Sequence, residues 1–381
     1  MSPSIAMRDY MKRRTFLRLT GAIAVLGLPW VSHAGKLLTA EGPAVPRPAS
    51  SHKHWPNNGG SFEMEKSELW EMELGSTVVK LVGVGGAGGN AVEHIIREGR
   101  CEIDYICCDT DGLALMRSSA AFKLPLGSGL GAGRNTEIAR ELATLERSRI
   151  AEALAGADMV FITAGLGGAT GAGAAPVVAE VARELGILTV AVVTKPIHYE
   201  GERRLIAEDG AVELAHHVDA LIAVPNETLA GVCGDEVSMR DAFMVSDNLL
   251  NATITGIVEM ITTQGLVGVD FEDIRLVIRK KSGRAAVGSS TASGVGRARR
   301  AAEAAITFPL MNAFDLGHEC NVLVSITGSS SMGLKDYKEV MRTIRRSTAP
   351  EATVIPSAVF DESMGDELRV TVVAFGIPDR S

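Results

Sequence analysis

VVKLVGVGGAGGNAVEHIIREG, residues 78–99, decides the fold. Its first part, 78–84, is a short run of β-branched and apolar residues that ends in glycines, the pattern of a buried strand. Its last part, 90–99, sets Val92, Ile95 and Ile96 at helical spacing and stops at Gly99. IDYICC at 103–108 reads as a second strand. A strand, glycine loop, helix and strand within about 30 residues predict a βαβ unit, hence a parallel sheet with a right-handed crossover.

The alternation continues outward. Strands are expected at 158–164, 187–194 and 219–224, and a helix at 174–185. A long apolar-periodic stretch over 241–261 predicts a core helix. Beyond it the order changes, with helices near 271–281, 297–306 and 334–346 and strands at 321–327, 352–358 and 368–375. The fold class is therefore α/β: a doubly wound parallel-sheet domain, a central connecting helix and a smaller α+β C-terminal domain.

Composition agrees. A chain of 381 residues suffices for two domains, and 46% hydrophobic with 22% charged residues is ordinary globular usage. A net charge of −8 works against a nucleic-acid binder, which needs a basic surplus. The basic runs at 279–284 and 296–300 read as solvated helix faces. Five cysteines form no C-x-x-C pair and no metal spacing with histidine, so no metal site is expected and reduced thiols are. Cys107 and Cys108 are adjacent in a strand and should pack on opposite faces.

The N-terminal 71 residues stand apart. KRRTFLR at 12–18, an apolar run at 19–31 and SHA at 32–34 form a twin-arginine signal pattern. Residues 35–63 follow as a linker without periodicity. Two readings stand open: export or membrane anchoring by this segment, or a translation start at Met64 or Met72.

GVGGAGGN at 83–90 joins a strand to a helix, where glycines let the backbone close on an anion at the positive helix end. Gly83, Gly85 and Gly88 also satisfy G-x-G-x-x-G, and Asp109 follows Gly88 by 21 residues, so a nicotinamide-dependent oxidoreductase is one possibility. A second glycine loop, AGLGGATGAGAAP at 164–176, again sits between a strand and a helix. Two such loops on one sheet edge suit a nucleotide with several phosphates. No G-K-[ST] follows either run, so this is not a P-loop protein.

GGATGAG at 167–173 is similar to the signature of the FtsZ/tubulin class of filament-forming GTPases. The flanks resemble the FtsZ family in order: 83–94, 192–204, 224–229, 241–250, 265–275 and 366–377, with the likeness spanning about 72–378. The resemblance implies a protein that binds and hydrolyses GTP and polymerises head to tail for bacterial cell division. It places the GTP-binding domain at 72–240, the core helix at 241–263 and the C-terminal domain at 264–378. It implies that Gly85, Gly86, Ala87, Gly88 and Gly89 cradle phosphate together with Gly168, Ala169, Thr170 and Gly171. Ala132 and Gly133 would lie near the γ-phosphate. Glu200 and Arg204 would meet the ribose, Asn90 and Asp247 would hydrogen-bond the guanine edge with Phe243 stacking on the ring, and Asn226 would be a further GTP-binding residue. Asp270 and Asp273 would be catalytic. GTP or GDP with a magnesium ion at the phosphates is the implied ligand; the partner is a second copy of the chain or another FtsZ, and no nucleic acid. The cytoplasm at the division site is the implied location. The pattern departs at Asp109, Arg134, Thr136, Ala169 and Ala172, and at Gly268, where the family has asparagine. The family's C-terminal adaptor-binding tail has no counterpart before Ser381, so adaptor binding through it is not expected. A scaffold that binds GTP with little hydrolysis remains the alternative.

Overall fold

The computed structural model describes residues 77–99, 103–227, 239–262, 267–280, 283–312, 316 and 320–376. The signal-like segment, both candidate start methionines, Cys101 and Cys233 lie outside them.

The first half alternates strand and helix. Its strands are β1 (Val79–Val84), β2 (Asp104–Asp109), β3 (Phe122–Pro125), β4 (Met159–Gly165), β5 (Leu188–Lys195) and β6 (Ala220–Pro225). Its helices are α1 (Gly85–Glu98), α2 (Gly112–Arg117), α3 (Thr136–Leu145), α4 (Arg147–Leu154), α5 (Ala169–Glu184) and α6 (Glu202–Ala215). The central helix α7 runs Met239–Thr262. After it come α8 (Phe271–Lys280), β7 (Gly283–Ser293), α9 (Arg297–Ile306), the short α10 (Pro309–Asn312), β8 (Asn321–Gly328), α11 (Leu334–Ser347), β9 (Thr353–Phe360) and β10 (Glu367–Phe375).

One ten-stranded sheet carries all of this, in the order β3-β2-β1-β4-β5-β6-β7-β10-β8-β9. Pairing from β3 through β7 is parallel, as the βαβ reading requires. β10 runs antiparallel between β7 and β8. β7 was not anticipated, because AAVGSSTAS carries small and polar residues where a buried strand usually shows bulk. It joins the halves through only three register pairs, Ala220↔Gly283 to Ile222↔Ala285.

Alternation along the strands sends successive residues to opposite layers. Cys107 packs with α1 and α7 on one face, Cys108 with the α4 and α5 layer on the other. Burial pushes both thiols above their ordinary value. In the second half, α7 and α8 cover one face, while α9 and α11 cover the other.

Two helices begin earlier than their periodicity suggests, α1 at Gly85 and α5 at Ala169. Glycines are poor helix formers, yet here close packing overrides propensity. A Cβ on Gly88 would overlap the Thr163 carbonyl, and one on Gly171 the Gly165 carbonyl. Arg297 also corrects the reading of 296–300 as solvated. It is 7% exposed and donates to Ser331, Asp336 and Asp366.

Candidate nucleotide site

The strand order reverses between β1 and β4, and the two glycine loops leave the carboxyl ends of those two strands. Ligands of open α/β sheets bind at such a reversal. The loops touch. Gly85 has φ +72°, which only glycine adopts freely, and a Cβ there would lie 3.2 Å from both the Thr170 Cβ and the Gly171 nitrogen. Gly86 and Gly89 face open space. Ala87 is exposed, and at Gly168 an added Cβ would meet only the Gly165 carbonyl. Two helix N-termini thus converge with backbone amides that no side chain covers.

A third loop closes the cradle. Thr110 Oγ1 lies 2.8 Å from Thr170 Oγ1, and the Thr110 carbonyl accepts from the Gly131 amide. Ala132 packs with Ala139 and Ala169, which brings the 129–135 loop against the start of α5. Gly133, at φ +62°, is exposed beside it. Asn135 caps α3 by accepting from the Glu137 and Ile138 amides. Its place before Thr136 and Glu137 is an N-cap signature that the sequence did offer. Thr110 carried no such signal.

Asp109 ends β2 beside this cradle and lines a cleft with Gly85, Gly86, Gly89 and Asn90. It is 7% exposed. Burial pushes its carboxyl above the usual range, while hydrogen bonds from the Asp111 and Thr110 amides pull it back.

The base and ribose candidates come from three other elements. Asp247 sits half-buried in the third turn of α7. Burial raises its carboxyl, and the nearby His94 opposes this. His94 Nε2 lies 2.9 Å from Asn248 Oδ1, which ties α1 to α7. Asn226 Oδ1 accepts from Ser246, so β6 is tied to the same turn. Asn90 is exposed on the second turn of α1. Phe243 belongs to α7, with its side chain outside the described residues. Glu200 accepts from the Ile197 amide and pairs with Arg203, whereas Arg204 pairs with Glu208. The Glu200 and Arg204 side chains are thus directed to other partners and not to each other.

Asp270 and Asp273 are far along the chain from this cradle. From its Asn248 contact α7 leads away to Thr262, about 21 Å at 1.5 Å per residue. Both acids are exposed at the start of α8, where the Asp270 carbonyl accepts from the Asp273 and Ile274 amides. Gly268 is exposed too, and a Cβ there would meet nothing. Among the described residues no three His, Cys, Asp or Glu side chains gather in a metal-holding group. No helix among them is long and apolar enough to cross a membrane.

Residues 78–234 match the Tubulin/FtsZ family, GTPase domain, and 283–378 match the FtsZ family, C-terminal domain. The chain is 45% identical over 315 residues to the cell division protein FtsZ of Coxiella burnetii, covering 81% of each. It is 47% identical over 311 residues to that of Azotobacter vinelandii, covering 80% of this chain and 79% of the relative. A solved structure titled an empty FtsZ dimer, from M. jannaschii, superimposes with a TM-score of 0.76 at 36% identity, covering 83% of this chain and 93% of that one. With both halves matched in order and four-fifths of the length aligned, the chain belongs to the FtsZ family.

Proposed function

We propose that this protein binds GTP in the crevice between β1 and β4, hydrolyses it, and assembles head to tail into filaments that act in cell division. The observation that carries this reading is the contact of the two glycine loops at Gly85 and Thr170–Gly171. It gathers unpaired amides from two helix ends, as a polyphosphate demands. Gly85–Gly89 and Gly168–Gly171 hold the phosphates, with Ala132 and Gly133 at the terminal one. Glu200 and Arg204 release their neighbours to meet the ribose. Asn90, Asn226, Phe243 and Asp247 enclose the base, and the Asp247 carboxylate accepts from the N1–H and N2 amino group that adenine lacks.

Among the described residues no group of acidic side chains gathers to hold a metal, so a magnesium ion would rest mainly on the nucleotide's own oxygens, the usual arrangement for this cation. Bound there, it would neutralise charge developing on the phosphates. Asp270 and Asp273 act from the neighbouring subunit by orienting the attacking water. The proposed location is the cytoplasm, where GTP is, at the division site.

Nucleotide binding followed by light scattering tests the reading. GTP, and not ATP or NAD, should bind and raise scattering, and scattering should fall as phosphate is released. A second reading, a scaffold with slow hydrolysis, draws on Gly268, which supplies no side chain beside Asp270. Scattering that persists without phosphate release would favour it.

A further inference from the structure

Helix α11 presents five cations to solvent: Lys335, Lys338, Arg342, Arg345 and Arg346 are all exposed. At 100° per residue they fall within an arc of about 100° on one side of the helix, a stripe roughly 16 Å long. The opposite side is fixed by Val340 and Ile344 in the core. The arginines of other helices mostly have acidic partners, such as Arg140 with Glu213 and Arg147 with Glu180. Lys335, Lys338, Arg342 and Arg346 have no acidic partner among the described residues. The reason is local. Asp336, the acid that could neutralise the first turn, is turned inward to the buried Arg297 at 3.1 Å and to the Gly333 amide. The outer face is left with a surplus of cations, the half-buried Glu339 lying at its edge, on a chain whose net charge is −8.

A second feature lies at the same end. Gly294 and Gly296 have φ of +72° and +71°, and Val295 between them is 100% exposed. This turn is pinned in place. The Gly294 amide donates to Asp366, and Arg300 donates to the Ser293 and Val295 carbonyls. Arg297, at the start of α9, bonds Ser331 just before α11, so the N-termini of the two helices are held side by side. Leu334, the first residue of α11, is 67% exposed. A fixed turn thus offers a bare valine and leucine beside a row of unpaired cations.

We propose that this face of α9 and α11 docks on an anionic lipid bilayer. The cations meet the headgroups, and Val295 and Leu334 enter the boundary below them. A convex helix with a cationic row and apolar tips suits a planar charged surface. A nucleic acid would give the exposed Val295 and Leu334 no apolar layer to enter. The face lies on the other side of the sheet from the α7 and α8 layer. One stripe binds weakly, and a filament repeating it would bind with avidity. Only this last step rests on the filament reading.

The test uses the full chain with vesicles of phosphatidylcholine alone or mixed with phosphatidylglycerol. Residues 1–76 are common to all variants, so any affinity of the apolar run at 19–31 cancels in the comparison. Wild type with GDP should prefer the mixed vesicles and lose them as salt rises. Lys338→Gln with Arg342→Gln should weaken that binding about thirtyfold, the worth of two basic side chains at a charged surface. Val295→Ser with Leu334→Ser should weaken it further on the same vesicles. GTP should tighten wild-type binding. If GTP changes nothing while the variants still weaken, the filament reading fails and the lipid site stands. Unchanged binding in the lysine and arginine variant would overturn the proposal. Stripe-dependent capture of polyglutamate without preference for anionic vesicles would overturn it too, in favour of an acidic protein partner.

Discussion

Two carboxylates in or near the crevice respond oppositely to replacement. Asp247 is proposed to read guanine by a charge-assisted pair, worth about 1.5–3 kcal/mol. Asp247→Ala should therefore weaken GTP roughly 10- to 100-fold in a fluorescence titration while ATP stays equally poor. Asp109 contributes in the other direction. Its folded-state carboxyl is raised by burial, so it favours the fold only below its unfolded value and loses that contribution as pH rises through the folded one. Asp109→Asn keeps an oxygen for the Asp111 amide without the buried charge. Nucleotide-free Asp109→Asn should melt above wild type at neutral pH, and the gap should close below about pH 4, where both carry a neutral group. A gap that persisted in acid would assign the effect to packing.

Helices here are placed by contacts at single points, and those points set what the sequence could reveal. α7 is held near its middle by His94 and Asn248 and near its C-terminus by Glu259, which accepts from Arg369 at 3.0 Å and from Thr327. Both members of that pair are 13% exposed. Arg369→Met should leave Glu259 nearly buried without its cation and cost about 3 kcal/mol in a denaturant melt, more than a surface pair would. Gly173→Ala should cost about 1–3 kcal/mol, because its Cβ would overlap the Thr136 carbonyl and push α3 from α5. These elements differ in legibility. β1, β2, β4, β5 and α7 announced themselves through dense apolar runs or helical period. The glycine-rich first turns of α1 and α5 did not, since their helical state comes from neighbours that leave no room for side chains. β7 and α6 were silent for a related reason. The small residues of β7 are buried by its neighbours, and α6 shows almost no segregation of apolar from polar residues. At the site, the two glycine loops were readable because phosphate binding uses backbone, whose signature is glycine. The Thr110–Thr170 contact, which joins them to the third loop, depends on tertiary geometry alone.

At the scale of the molecule, the proposed partition into a GTP-binding body at 72–240, a core helix at 241–263 and a C-terminal module at 264–378 separates binding from catalysis. Past Asp247, α7 runs on for the rest of its length to Thr262, about 22 Å at 1.5 Å per residue, toward the segment that precedes Asp270. An acid at that remove cannot reach a phosphate between β1 and β4 of its own chain. A second copy stacked head to tail can deliver it, and a heterologous contact of this kind repeats without closing. Asp270→Ala and Asp273→Ala should therefore bind GTP like wild type and yet fail to release phosphate. Mixed with wild type, they should slow turnover beyond simple dilution, because each mutant disables the site of its neighbour. Gly268→Asn belongs to the same test. The position is exposed and a side chain there meets nothing, so the change should leave stability within about 0.5 kcal/mol. If an amide at that position helps to orient the loop toward the next subunit, turnover in polymer should rise and that of dilute monomer should stay at its floor. Equal turnover per subunit above and below the assembly threshold would show that each chain completes its own site, and the shared-site mechanism would fall.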